Sequence, residues 1–101
     1  MIKVLIKKEE NQVKFLEVKG HANSAPHGQD LICAAVSAVV TGGFNAIQDL
    51  TKNHLTLREG YASLEAIEPL SRHDEIVVET IIVSLETIAD HHQEFIEIKN
   101  L

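Results

Sequence analysis

The chain has one cysteine, Cys33, among its 101 residues. A lone thiol excludes an internal disulfide framework and any zinc site built from several cysteines. It also fits a reducing, cytoplasmic compartment better than an oxidising one. Tryptophan is absent, and three Phe and one Tyr leave few rings on which bases could stack. There is no basic excess: Lys and Arg number 9 against 15 Asp and Glu, a net charge of −6. Phosphate-backbone binding usually needs a basic face, so no direct nucleic-acid partner is expected. Two prolines are all that interrupt the chain, and no repeat, low-complexity stretch or linker divides it. Residues 1–10 hold Lys3 inside their only apolar run and end in no small-residue cleavage site, unlike a signal peptide.

One long uncharged run is present. Leu31 to Gln48 carries no charge over 18 residues, just the threshold length for a spanning helix. Ser37, Thr41, Gly42, Gly43, Asn45 and Gln48 lie inside it, and Asp30 and Asp49 flank it. That pattern reads as a buried helix of a soluble protein with no membrane partner. With 45% apolar and 24% charged residues, the composition is that of a globule. The length suits a single domain, residues 1–101, able to bury roughly two-thirds of the surface of its unfolded chain.

Periodicity supplies the elements. Ile2, Val4 and Ile6 alternate with Lys3 and Lys7, a strand over 2–7, and 13–19 is β-prone again. The two read as a hairpin with its loop at Glu9–Glu10–Asn11. Residues 20–29 form a loop that holds His21 and His27. Asp30 can cap the next helix, whose expected apolar stripe is Leu31, Ala34, Ala35, Ala38 and Val39, continued by Ile47 and Leu50. Gly42–Gly43 within it marks either a kink or a very close helix contact. Strands are expected over 54–58 and 61–67, joined at Glu59–Gly60. Ser71 is placed to cap a second long helix with a stripe of Val77, Ile81, Leu85 and Ile88, flanked by Val78, Ile82 and Ala89. So wide a face suggests a sheet on one side and a partner on the other. Phe95, Ile96 and Ile98 make a last short strand. The order is strand-strand-helix-strand-strand-helix-strand, an α+β domain with its sheet packed by two helices.

Chemistry concentrates in residues 20–37, GHANSAPHGQDLICAAVS. His21 lies at a strand end, and Cys33 falls in the first turn of a helix, three residues after its cap. The positive end of the helix dipole favours a thiolate there. An imidazole in reach could take the thiol proton and return it to a leaving amine. N–H groups at the helix start could hold an oxyanion. The plain alternative is a buried filler cysteine near an ordinary loop histidine. Spacing alone does not choose between them.

The string as a whole does more. Gly20-His21-Ala22, Gly28 and Asp30 before the cysteine, and Cys33-Ala34-Ala35-Val36-Ser37 from it onward, closely resemble the ribosomal-processing cysteine protease family, Prp. The resemblance spans essentially the whole chain. It implies an endopeptidase that removes a short N-terminal extension from ribosomal protein twenty-seven of the large subunit, cutting after an aromatic residue. It further implies Cys33 as nucleophile, His21 as catalytic histidine, and supporting positions at Gly20, Asp30, Ala34 and Ser37. A homodimer with a mobile loop beside the peptide groove follows from the same likeness, with no cofactor and no metal. Asp30 has two roles open to it, helix cap or orienter of His21. Ser37, one turn after Cys33, could bond near the site or to its own helix.

The remaining candidates read as ordinary. His27 suits a loop histidine better than a second base or metal ligand, and His91–His92 sit near a helix end where a cation complements the dipole. A zinc site would need further ligands. His54 and His73 read as surface residues, and Gly42–Gly43 lacks the lysine of a phosphate loop. Two competing functions stay open: a non-enzymatic ribosome-associated module that holds a peptide, and a structural dimer whose cysteine only packs.

Overall fold

The structure, a computed structural model, describes residues 1–26 and 30–101. His27 and Gly28 therefore lie outside the described residues. Strands β1 (Ile2–Glu9) and β2 (Gln12–Lys19) form the expected hairpin. Its two-residue turn, Glu10–Asn11, has φ of 52° and 65°, the left-handed pair that matches the twist of adjoining strands. Helix α1 (Leu31–Asn45) follows, then β3 (Asn53–Arg58), β4 (Tyr61–Ala66), helix α2 (Arg72–His91) and β5 (Ile96–Asn100). The sheet order is β3-β4-β2-β1-β5, antiparallel except where β5 runs parallel to β1. Element order and class are as expected.

Alternation along the strands decides which sheet face is covered. Ile2, Val4 and Ile6 of β1, Leu16 and Val18 of β2, and Ala62, Leu64 and Ala66 of β4 are buried together. They pack against Ile32, Val36, Val40 and Phe44 of α1 and Val78, Ile81, Ile82 and Leu85 of α2. Lys3, Lys7, Lys19 and Glu65 lie exposed on the other face of the sheet. No helix among the described residues is long and apolar enough to cross a membrane.

The stripe expected on α1 is wrong by one residue. Leu31 is 82% exposed and Ala34 and Ala38 are exposed, whereas Ile32, Val36, Val40 and Phe44 point inward. The helix also stops at Asn45, so Ile47, though buried, and Leu50, which is exposed, are not part of it. In an uncharged helix two faces satisfy the same spacing. The one with the larger side chains removes more apolar area from water and is buried. The small residues are left for the opposite face.

Gly42 and Gly43 have different environments. A Cβ on Gly43 would collide with the Ile81 side chain, so α1 and α2 meet closely there, while Gly42 faces open space. Gly42→Ala is expected to stabilise by roughly 0.5–1 kcal/mol through helix propensity. Gly43→Ala is expected to destabilise by about 1–3 kcal/mol because Ile81 must leave its rotamer or the helices must part. Denaturant midpoints of the two variants check the opposite signs, and stabilisation by Gly43→Ala would contradict the close contact.

Candidate active site

At one end of the sheet, a cleft of about 660 Å³ opens between α1 and the β3–β4 hairpin. Cys33, Ala34, Ser37 and Thr41 line it from α1, Gly20 and His21 from the end of β2, and Leu57 through Ala62 from the hairpin. The small and polar face of α1 is thus the wall of a cleft. Cys33, Ser37 and Thr41 stand one turn apart along it, as their spacing dictates.

Asp30 organises the helix start. Its carboxylate Oδ1 accepts the N–H of Ile32 and of Cys33, both at 3.0 Å. Ser24 adds its hydroxyl to Oδ1 at 2.6 Å and its N–H to Oδ2 at 2.8 Å. The Ser24 hydroxyl, then the Cys33 N–H, hold the Asp30 carboxyl well below the usual carboxylate range against an opposing effect of burial. Of the two roles open to Asp30, the cap is the one seen. Its bonds among the described residues run to Ser24 and α1, which ties the loop after His21 to the helix that carries Cys33.

The same bonds engage three of the N–H groups that an oxyanion site at the helix start would draw on. The N–H groups of Ile32 and Cys33 are taken by the Asp30 side chain, and that of Ala34 by the Asp30 carbonyl at 3.0 Å. A different donor stands beside the thiol: the Ala22 N–H reaches Cys33 Sγ at 3.2 Å. The residue that follows His21 is therefore in contact with the sulfur of a residue eleven positions further on. A histidine-bearing strand end is latched to a thiol-bearing helix start.

The comparisons with known proteins identify the family. The sequence model of the family described as Cysteine protease Prp matches residues 1–97. The chain belongs to the cysteine protease Prp family. It is similar to the ribosomal processing cysteine protease Prp of Bacillus subtilis, 38% identical over 97 residues that cover 87% of each chain. The Prp of Staphylococcus aureus is 29% identical over 94 residues, covering 89% of each. Among solved structures, Staphylococcus aureus Prp with a covalently linked product peptide superposes with a TM-score of 0.89 at 29% identity, over 100% of both chains. The same protease with a substrate peptide gives 0.83 at 27% identity, again over 100% of both. The enzyme class expected from the sequence, a cysteine protease, holds.

Within this Prp fold every expected site residue borders the cleft. Gly20 has a φ of +99°, and a Cβ on it would strike the Met1 carbonyl oxygen. Glycine is thus required there for two reasons, backbone conformation and close approach. Ser37 and Ala34 are exposed along the α1 wall. Sequence reasoning missed the opposite wall, Leu57 to Tyr61. It was visible as a turn at Glu59–Gly60, but nothing local ties that turn to His21. Ser24 was missed as well, although a serine six residues before an aspartate in a polar loop is a plausible local partner. His54, His73, His91 and His92 are exposed, and the described residues contain no cluster of His, Cys, Asp or Glu able to hold a metal ion.

Because the Asp30 carboxyl is lowered by folding, the unfolded chain binds a proton there at a higher pH, near 4. Its contribution to stability is present above that value and is lost as pH falls toward the lower, folded value. Asp30→Asn keeps an acceptor for the helix but cannot titrate. The native protein is therefore expected to lose melting temperature more steeply than Asp30→Asn below about pH 4. Parallel acid profiles for the two would show that the carboxylate is not held as described.

Proposed function

We propose that this chain removes the N-terminal extension of large-subunit ribosomal protein twenty-seven, with Cys33 as nucleophile and His21 as its base. The observation that carries this reading is the cleft holding both side chains, with the Ala22 N–H on Cys33 Sγ at 3.2 Å. The covalently linked product peptide held by the Staphylococcus aureus relative supports it, since a thiol nucleophile passes through a bond between enzyme and acyl group.

The chemistry runs in two halves. His21 accepts the Cys33 proton, and the sulfur attacks the carbonyl carbon of the bond to be cut, moving the π electrons onto oxygen. As the tetrahedral centre collapses, the C–N bond breaks and the imidazolium gives its proton to the departing amine. A thioester remains on Cys33. Water, deprotonated by the now neutral His21, adds to it, the C–S bond breaks, and the sulfur recovers the proton. The Ala22 N–H, held on Sγ in the resting protein, is near enough to bond the oxygen that develops on the attached carbon. Asp30 serves as the cap that fixes Cys33, while Gly20, Ala34 and Ser37 shape the peptide's path. No cofactor or metal enters.

The reading places the protein in the cytoplasm as a homodimer, without a nucleic-acid or membrane partner of its own. Ile76 and Val83 on the outer side of α2, exposed by 46% and 53%, are where a second copy would gain most. A net charge of −6 mildly favours a basic ribosomal protein as substrate. Incubation with the precursor of that ribosomal protein, followed by product masses, tests the function. One cut after an aromatic residue is expected. An unchanged precursor that nevertheless binds would favour the ribosome-associated peptide-binding module instead.

A further inference from the structure

Gly60, at the tip of the β3–β4 hairpin, stands 39 residues after His21 in the chain and against it in space. Its φ is +72°, and a Cβ built on it would lie 2.9 Å from His21 Nε2 and 3.4 Å from Cε1. No side chain fits there while the imidazole keeps its place. The hairpin tip is itself fixed. The Gly60 carbonyl accepts the Gly20 N–H at 3.0 Å, which binds the turn to the residue just before His21. On either side of the turn, the Arg58 guanidinium lies 4.4 Å from the centre of the Tyr61 ring. The Tyr61 hydroxyl in turn donates to Glu17 at 2.8 Å. The backbone around His21 is thus held at Gly20 by the hairpin and at Ala22 by Cys33. What remains to be set is the rotation of the ring, and the bare α-carbon of Gly60 bounds it.

We propose that Gly60 is a positioning residue of the reaction, the seat that determines where the His21 imidazole stands in the cleft. The proposal rests on the reading of His21 as base and names what aims it. A side chain at position 60 has two separable consequences. The left-handed backbone strains any L residue, but asparagine tolerates it far better than alanine. Displacement of the imidazole is common to both, because a side chain that rotates yields more easily than the backbone of a pinned turn.

Gly60→Asn and Gly60→Ala are therefore both expected to slow single-turnover cleavage by about 10- to 100-fold, the effect of a misplaced catalytic group. The melting temperature of Gly60→Asn should stay near the native value. Alkylation of Cys33 by iodoacetamide, followed across the range where imidazole titrates, should move toward the profile of His21→Ala. Added to His21→Ala, the Gly60→Asn change should do nothing further to either rate, since it acts only through the ring. Native-rate cleavage by Gly60→Asn, or losses that multiply in the double variant, overturns the positioning role and leaves His21 as base. Native-rate cleavage by His21→Ala is the separate result that removes the base assignment, and the seat with it.

Discussion

Cys33→Ala is expected to abolish cleavage of the precursor while leaving its binding intact, and the loss should barely deepen when His21→Ala is added. The two residues line one cleft, and in the proposed mechanism each needs the other. Without the sulfur there is no atom to acylate. Without the imidazole the thiol lacks both its base and the acid for the leaving amine, so His21→Ala alone should slow acylation by roughly 10²- to 10⁴-fold. Groups that act as a unit are far from additive, so the double variant should resemble Cys33→Ala. Cys33 is half-buried, and removing its sulfur also removes an acceptor from the Ala22 N–H. That costs some local order but not the fold, because Asp30 still caps α1 and ties it to Ser24. Single-turnover cleavage by both single variants and the double variant, with peptide affinity measured in parallel, checks this. Losses that multiply would mean that the residues act independently, and cleavage by Cys33→Ala would remove the nucleophile assignment.

The sequence was most legible where one signal had one interpretation. Alternation of Ile2, Val4 and Ile6 with lysines specified a strand and its buried face together, and Ser71 and Asp30 capped helices at the residues expected. Gly43 was open between a kink and a close contact, and Ile81 decides for contact. The α1 stripe failed because an uncharged helix has no charged face to exclude the wrong one. Side-chain volume, not hydrophobicity alone, selected Ile32, Val36, Val40 and Phe44. In the candidate site, the thiol, the histidine and the cap all lie within one short stretch, and a motif exposes them. The far wall does not. Leu57 to Tyr61 comes to the cleft only because β4 pairs with β2, with Tyr61 opposite Lys19 one residue before Gly20. Such a placement belongs to the sheet register and leaves no local trace.

Asp74→Ala is expected to cause a large loss of stability, about 2–4 kcal/mol, at a residue with no part in the chemistry. Asp74 stands at the third position of α2 after the Ser71 cap and has none of its surface exposed. Its Oδ1 accepts the Gln48 N–H at 2.9 Å and its Oδ2 the Asp49 N–H at 3.1 Å. The Asn53 side-chain amide lies 3.4 Å from Oδ2, and its own Oδ1 is buried with no partner among the described residues. One carboxylate thus joins the start of α2 to the segment between α1 and β3, helped by the helix dipole. Alanine would leave these part-buried donors without their acceptor, a cost larger than the worth of the bonds themselves. Asp74→Asn can still accept one N–H but offers a donor to the other, so roughly half the loss is expected. Denaturant unfolding reads both variants. Residues 46–53 do not border the cleft, so the folded Asp74→Ala protein should alkylate at Cys33 and cleave at the native rate. An Asp74→Ala midpoint near the native one would show that water already serves those donors and that the buried carboxylate is not what holds the segment.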